Sequence, residues 1–136
     1  MRVFLDANVL FSAAAAGSPT RQLLEAVLRG DMAVTNRHAW EEARRNIARK
    51  RPDLTPGLLR LESRLEFTDR FVRVEELDVP DADVPVVGGA VASRCSLHWT
   101  GDKRRFGPYY GRTVRGTKIV SGVMMAGEIG YWKLDT

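Results

Sequence analysis

The chain of 136 residues carries 21 Lys and Arg against 17 Asp and Glu, a formal net charge of +4, with 44% hydrophobic and 28% charged residues. That composition suits one globular domain and argues against disorder, and no apolar run reaches the ~20 residues that a membrane span needs. Asp6 interrupts the first apolar stretch where a secretory leader would need an unbroken one, and the single cysteine, Cys95, has no second Cys for a disulfide or a thiolate zinc site. A reducing cytoplasm is the expected compartment, and the modest positive excess favours acidic partners, nucleic acid first among them.

Arg2-Val3-Phe4-Leu5 is a short apolar run closed by Asp6, the pattern of a buried strand with a carboxylate just past its carboxyl end. Leu23, Leu24, Val27 and Leu28 follow the helical repeat after Ser18-Pro19-Thr20, and Gly30 ends them. Met32 to Thr35 reads as a second strand, and Asn36 is placed to cap a helix whose Trp40, Ala43 and Ile47 share one face. Leu58, Leu61 and Leu65 predict a further helix and Phe71 to Val74 a strand. Asp83 precedes a helical segment carrying Val86, Val87, Ala90 and Val91, in which Pro85 is tolerable because it falls in the first turn. Leu97-His98-Trp99 leads as a strand into Thr100-Gly101-Asp102, and Thr117 to Val120 is a final strand. Between them, the stretch Phe106 to Gly116, rich in Gly, Pro, Tyr and Arg, reads as the longest loop. Strands alternating with helices call for a three-layer α/β/α sandwich around a central parallel sheet, with residues 1–136 as a single domain.

In such a sheet ligands bind beyond the carboxyl ends of the strands, and here those positions carry acids. Asp6 follows the first strand, Asp102 follows the strand at 97–99, and Asp83 sits where a connection enters a helix. Convergent carboxylates without His or Cys make a site for a hard divalent cation, Mg²⁺ or Mn²⁺, which can neutralise a phosphate and activate a water. Each acid also has a purely structural reading: Asp83 as a helix cap, Asp6 in an Asx-turn, Asp102 in a hairpin-type turn. Coincidence becomes strained when three of them fall at strand ends of one sheet. Glu41 and Glu42 both lie off the Trp40, Ala43 and Ile47 face, and amphipathicity does not choose between them.

These residues resemble a known family. Val3-Phe4-Leu5-Asp6-Ala7-Asn8-Val9-Leu10 resembles the opening of PIN-domain ribonucleases, whose first strand delivers an aspartate followed two positions later by Asn, Ser or Thr. Trp40-Glu41-Glu42-Ala43-Arg44-Arg45-Asn46-Ile47 is similar to the helix that supplies their glutamate, Asp83-Val84-Pro85-Val86-Val87-Gly88-Gly89-Ala90 to their next acidic helix start, and Thr100-Gly101-Asp102-Lys103 to their last acidic strand end. The spacing of the last two matches the PIN-like toxins of toxin–antitoxin pairs, VapC-like proteins among them. The resemblance runs in order from Met1 to about Val120 and implies a metal-dependent endoribonuclease whose Mg²⁺ or Mn²⁺ is held by Asp6, Glu42, Asp83 and Asp102. Glu42 is preferred over Glu41 because the family's glutamate precedes a small or apolar residue, here Ala43, and a later apolar one, here Ile47. The same resemblance implies that Asn8 and Thr100 position the carboxylates, and it implies an RNA substrate, a protein antitoxin and a homodimer. The chain departs from the family pattern at Gly88 and Gly89, which stand where alanines are expected; each weakens a helix interior by ~1 kcal/mol and is expected to loosen the hold on Asp83. His98 and Trp99 occupy positions usually aliphatic in relatives.

Cations and aromatics follow the last acid. Lys103, Arg104 and Arg105 are expected to hold RNA phosphates, with Phe106, Tyr109 and Tyr110 to stack unpaired bases and Arg112 and Arg115 nearby; a solvated loop is the competing reading. Arg44, Arg45, Arg49, Lys50 and Arg51 read as a solvated helix face, His38 and His98 as structural for want of a partner at ligand spacing, and Cys95 as a small core residue. Two other functions compete with the nuclease. A catalytically silent PIN-like RNA-binding or interaction module has the intact acids against it. A phosphatase with an aspartyl nucleophile would want a carboxylate two residues after Asp6, where Asn8 stands.

Overall fold

A computed structural model describes residues 1–131. Its strands are β1 (Arg2–Leu5), β2 (Met32–Asn36), β3 (Glu66–Thr68), β4 (Leu97–Trp99), β5 (Thr113–Val114) and β6 (Thr117–Val120), joined into one sheet in the order β3-β2-β1-β4-β6-β5. Every pairing is parallel except the β5–β6 hairpin at one edge. The helices are α1 (Ala7–Ala13), α2 (Pro19–Gly30), α3 (Arg37–Lys50), α4 (Thr55–Leu61), α5 (Val84–Ala92), α6 (Lys103–Phe106) and α7 (Gly122–Ile129). The architecture is the α/β/α sandwich read from the sequence, and no helix among the described residues is long and apolar enough to cross a membrane.

Burial on both faces explains why the central strands read as unbroken apolar runs: Val3, Phe4 and Leu5 of β1 are fully buried. Successive side chains of a strand point to opposite faces, so Ile119 and Val120 of β6 enter two different apolar clusters. Val120 joins the larger one, with Trp40, Leu58 and Met125, and Ile119 joins the smaller one, with Val74, Val87 and Phe106. Cys95 is buried in the larger cluster. Because β1 lies between β2 and β4, the order of the sheet reverses there, and the crevice that this leaves at the carboxyl ends is where α/β sheets bind ligands.

The structure departs from the sequence expectations in four places. Phe71 to Val74 is not a strand; the edge strand is Glu66–Thr68, fixed by a double contact of Glu66 with Arg2 of β1 and by Phe67, which lies under the Arg37 guanidinium and edge-on to Trp40. The backbone at Val72 bonds a helix instead, its N–H donating to Gly88 O at 3.2 Å. Leu65 is extended beyond the end of α4. The 106–116 stretch is not one loop, because α6 ends within it, a 3₁₀ turn spans Gly107–Tyr109, and the β5–β6 hairpin turns at Arg115 and Gly116. Both turn residues have positive φ, as a two-residue hairpin connection of this hand requires. Finally, α1 begins directly after Asp6 and α7 follows β6; the sequence reading assigned neither helix.

Gly88 and Gly89 do the opposite of loosening α5. A Cβ at Gly88 would stand 1.9 Å from Val72 O, and one at Gly89 would stand 2.8 Å from Asn36 Nδ2 and 3.4 Å from the Phe4 ring. Absence of side chains there lets the 72 strap and the sheet close onto the helix, a packing gain that outweighs poor helix propensity.

Two stability measurements check these points. Gly88→Ala is expected to destabilise by about 1–3 kcal/mol in urea unfolding, despite the better helix former. Gly30→Ala, at a helix end with open space around it, should instead be neutral or stabilise by about 0.5 kcal/mol. Glu25 of α2 receives Arg64 at 2.6 and 2.8 Å and Arg21 at 3.0 Å, and its carboxyl is lowered to about 2, Arg64 being the main cause. A folded value below the ordinary 4.5 gives stabilisation that is complete above 4.5 and lost as pH falls from there through about 2. The melting-temperature gap between wild type and Glu25→Gln should therefore be widest at pH 7 and narrow towards pH 3, and at this solvent-screened position it should be worth about 1 kcal/mol or less.

Candidate functional site

Asp6, Glu42, Asp83 and Asp102 come from four different elements and line one cleft of about 370 Å³. Asp6 ends β1 and caps α1: its Oδ1 accepts the Ala7 N–H at 2.6 Å while the carboxylate as a whole is almost entirely buried. Asp102 ends the β4 side in the same way, with Oδ1 accepting the Arg105 N–H at the start of α6 at 3.1 Å. One oxygen of each thus satisfies a helix N-terminus, where the sequence suggested turns, and both residues also line the cleft. Asp83 closes the 3₁₀ turn Asp81–Asp83 and makes no capping bond to α5. Glu42, Asn46 and Lys50 form a stripe at four-residue spacing along α3 that faces the cleft, whereas Glu41 turns outward to Arg44 at 3.8 Å.

Two small polar networks fix the acids relative to one another. Asn8, in the first turn of α1, accepts the Gly101 N–H at 2.7 Å and reaches Thr100 Oγ1 at 3.4 Å, and that hydroxyl accepts the Asp102 N–H at 3.2 Å. The ends of β1 and β4 are laced together by these bonds. On the other side Asn36, the cap of α3, accepts the Ala39 N–H at 2.9 Å and donates to Pro85 O in the first turn of α5, also at 2.9 Å. One amide therefore ties the helix that carries Glu42 to the segment that carries Asp83. The capping role of Asn36 was visible in the sequence; its bond to Pro85 O depends on Gly89 leaving room.

The charges are unevenly matched. Arg105 Nη1 lies 2.9 Å from Asp83 Oδ1 and its Nε lies 3.8 Å from Asp102 Oδ2, while Asp83 Oδ2 is buried without a hydrogen-bond partner. Burial pushes the Asp83 carboxyl up, Arg105 draws it back, and Asp6 and Asp102 add to the upward push, which prevails. Burial also raises Glu42, with Asp6 the next cause. For Asp6 burial acts upward too, but His98, the Thr100 hydroxyl and the Ala7 N–H together hold it below the ordinary carboxylate range. His98 is fully buried between Phe4 and Phe106, and its Nε2 stands 3.6 Å from Asp6 Oδ2, beyond hydrogen-bonding distance. Its sequence neighbourhood showed no such partner; the β1–β4 register, Phe4 opposite His98, brings it beneath the acid.

An all-oxygen donor set with an orphaned buried carboxylate oxygen suits a hard cation. Among the described residues, however, no three His, Cys, Asp or Glu side chains are gathered closely enough to enclose an ion, and the Arg105 guanidinium stands between two of the four acids. The cleft holds donors of the right chemistry with a cation of the protein's own among them.

The flanking basic and aromatic residues are used differently from expectation. Phe106 is buried in the smaller core, the Tyr109 hydroxyl bonds the backbone of Asp78, and the Tyr110 hydroxyl donates to Thr100 O at 2.9 Å. Phe106 is thereby enclosed, while the half-buried Tyr109 and Tyr110 have their hydroxyls engaged within the chain. Arg115 pairs with Glu76 through two bonds of 2.8 Å. Lys103 and Arg104 are exposed, but Arg105 turns back to the acids. Lys50, assigned from sequence to a solvated face, lines the cleft; its spacing of twice four residues from Glu42 was the available signal.

No protein-family profile matches the chain, and no curated protein matches it in sequence. Among solved structures it is similar in fold to a chain of the crystal structure of VapBC2 from Rickettsia felis bound to a DNA fragment from their promoter. The TM-score is 0.66 at 16% identity, covering 89% of this chain and 98% of that one.

If Asn36 sets the spacing of Glu42 and Asp83, Asn36→Ala should cost about 1–2 kcal/mol in chemical unfolding through loss of the cap and of the Pro85 bond. Asn36→Ser keeps a capping oxygen but cannot reach Pro85 O, and it should recover only part of that loss.

Proposed function

We propose that the protein is an endoribonuclease dependent on Mg²⁺ or Mn²⁺ and that it serves as the toxin of a toxin–antitoxin pair. The observation that carries this reading is the meeting of Asp6, Glu42, Asp83 and Asp102 in one cleft at the sheet's switch point, with Asp83 Oδ2 buried and unpartnered. Two lines independent of that geometry point the same way. The motifs resemble PIN-domain ribonucleases of the VapC-like kind, and the fold is similar to that of a chain from a structure named for VapBC2. A protein antitoxin and a homodimer belong to this reading as expected partners.

Asp6, Glu42, Asp83 and Asp102 would hold the ion. The chemistry supplied by a bound divalent cation would be to offset phosphate charge and to ease loss of a proton from a water, leaving hydroxide as the nucleophile. The residues of the chain do the rest. Asn8 and Thr100 hold the Asp102 segment against the end of β1 that carries Asp6. Lys50 in the cleft lining and the exposed Lys103 and Arg104 that follow Asp102 in the chain offer charge to a phosphate backbone. No side-chain nucleophile is needed, and Ser12, the one Ser, Cys or Thr in the cleft lining, hydrogen-bonds no general base among the described residues.

A second reading, a silent RNA-binding module, is favoured by one observation, the Arg105–Asp83 pair that already neutralises part of the site. Cleavage assays on single-stranded RNA separate the two. Hydrolysis should stop with EDTA, return with Mg²⁺ or Mn²⁺ and return poorly with Ca²⁺, which prefers more ligands at longer distances. Asp6→Asn and Asp83→Asn should each lose more than about a hundredfold in rate, the upper end of what outer partners of a metal contribute, while melting temperature is kept. Binding without any cleavage in added metal would establish the silent module instead, and cleavage indifferent to EDTA would overturn both.

A further inference from the structure

Of the three consecutive cations after Asp102, only Arg105 points into the acids. We propose that Arg105 is a built-in latch: in the metal-free protein its guanidinium occupies the place of a cation between Asp83 and Asp102, a divalent ion displaces it, and the released side chain then binds a phosphate of the RNA. This inference rests on the metal-dependent reading above.

Geometry favours a side chain that can leave without disturbing the fold. The Arg105 backbone is anchored independently, because its N–H is held by Asp102 Oδ1 at 3.1 Å. Its side chain is 42% exposed, against 11% for that of Asp83, so the guanidinium can swing into solvent while the carboxylate stays in place. The contacts that it gives up are the 2.9 Å bond to Asp83 Oδ1 and the looser 3.8 Å approach to Asp102 Oδ2. Those two oxygens, with the unpartnered Asp83 Oδ2, are ones that a metal would use. A guanidinium and a divalent cation at these carboxylates compete, since both are positive and repel each other at close range. Occupancy by one therefore weakens the hold of the other, and loading with metal is what makes Arg105 available to an anion. Arginine suits the second task because its fork matches two oxygens of one phosphate.

The latch has a thermodynamic signature that opposes the simple expectation for a supporting residue. A side chain that merely positioned Asp83 would weaken metal binding when removed. A competing latch closed about nine-tenths of the time raises the apparent dissociation constant about tenfold, so its removal tightens binding by that factor. Calorimetric titration of the full chain with MnCl₂ alone should give about tenfold tighter binding for Arg105→Ala than for wild type. Arg45→Ala, which removes an exposed charge of α3 outside the cleft lining, should stay within about twofold. Binding of a non-cleavable 2′-O-methyl RNA should show the reverse dependence. With Mn²⁺ present Arg105→Ala should bind it more weakly than wild type, and without metal the two should bind alike. If Arg105→Ala melts poorly, Arg105→Gln gives the same readout with a polar side chain in place. Equal or weaker Mn²⁺ binding by a folded Arg105 variant, with wild type still binding, overturns the latch and leaves the nuclease reading in place. Absence of Mn²⁺ binding in wild type and variant alike overturns both.

Discussion

Parallel pairing of β1 with β4, Leu5 opposite Trp99, decides where the acids can be. The two strands end at the same level, so the residues that follow them, Asp6 on one and Thr100 to Asp102 on the other, emerge side by side at the reversal of the sheet. A parallel pair also obliges each strand to hand over to a crossover, and the helices so formed need caps at their N-termini. Asp6 and Asp102 supply those caps, so each commits one carboxylate oxygen to the backbone while the residue itself lines the cleft. The same register carries His98 under Asp6, so that even the least expected neighbour of the site follows from how two strands align.

A cleft with four carboxylates is electrostatically uncomfortable, and the protein relieves it unequally. Asp6, the most enclosed, is held below the ordinary carboxylate range by His98, Thr100 and the Ala7 N–H, whereas Glu42 and Asp83 are pushed towards their protonated forms by burial first and then by neighbouring carboxylates, Asp6 among them in both cases. Arg105 supplies the one direct counter-charge to Asp83 among the described residues. An arrangement tuned for stability alone would replace such a group by apolar side chains or pair it fully. Persistence of Asp83 Oδ2 without a partner in the fold is the kind of local cost that accompanies a binding role.

Close approach of the backbone is the other recurring device. Gly88 admits the strap at Val72, Gly89 admits the Asn36 amide, and through that amide α3 and α5 are held at the separation that lets Glu42 and Asp83 face one cleft. Helix α5 accepts two poor helix formers because what it contributes is proximity to its neighbours, and tertiary packing stabilises it more than propensity does. The aromatic residues of the 106–110 segment work in the same sense, since Phe106 fills the smaller core and Tyr110 steadies the carbonyl of Thr100.

Much of this was legible in the residues themselves. Apolar runs ending in Asp6 and at Trp99, the helical repeats around Leu24, Trp40 and Val87, and the cap at Asn36 report local preferences, and local preference is encoded within a few residues of sequence. Those patterns sufficed for the α/β alternation, for the layers and for naming four acids at positions that a parallel sheet brings together. They did not suffice for Phe71 to Val74, whose strand-like composition was overridden when its backbone bonded Gly88 instead of a neighbouring strand. Nor could they reveal the His98–Asp6 approach, the turning of Arg105 away from its two basic neighbours, or the use of Tyr109 and Tyr110 as braces. Each of those depends on which distant segments become adjacent and on what space a missing Cβ leaves open. The sequence by itself determined the elements and the chemical types available at their ends, because hydrophobic periodicity and capping act over one or two turns of chain. Only the tertiary structure decided which oxygens remain free and which cation faces them, because hydrogen bonds and ion pairs are made across space and are settled by packing.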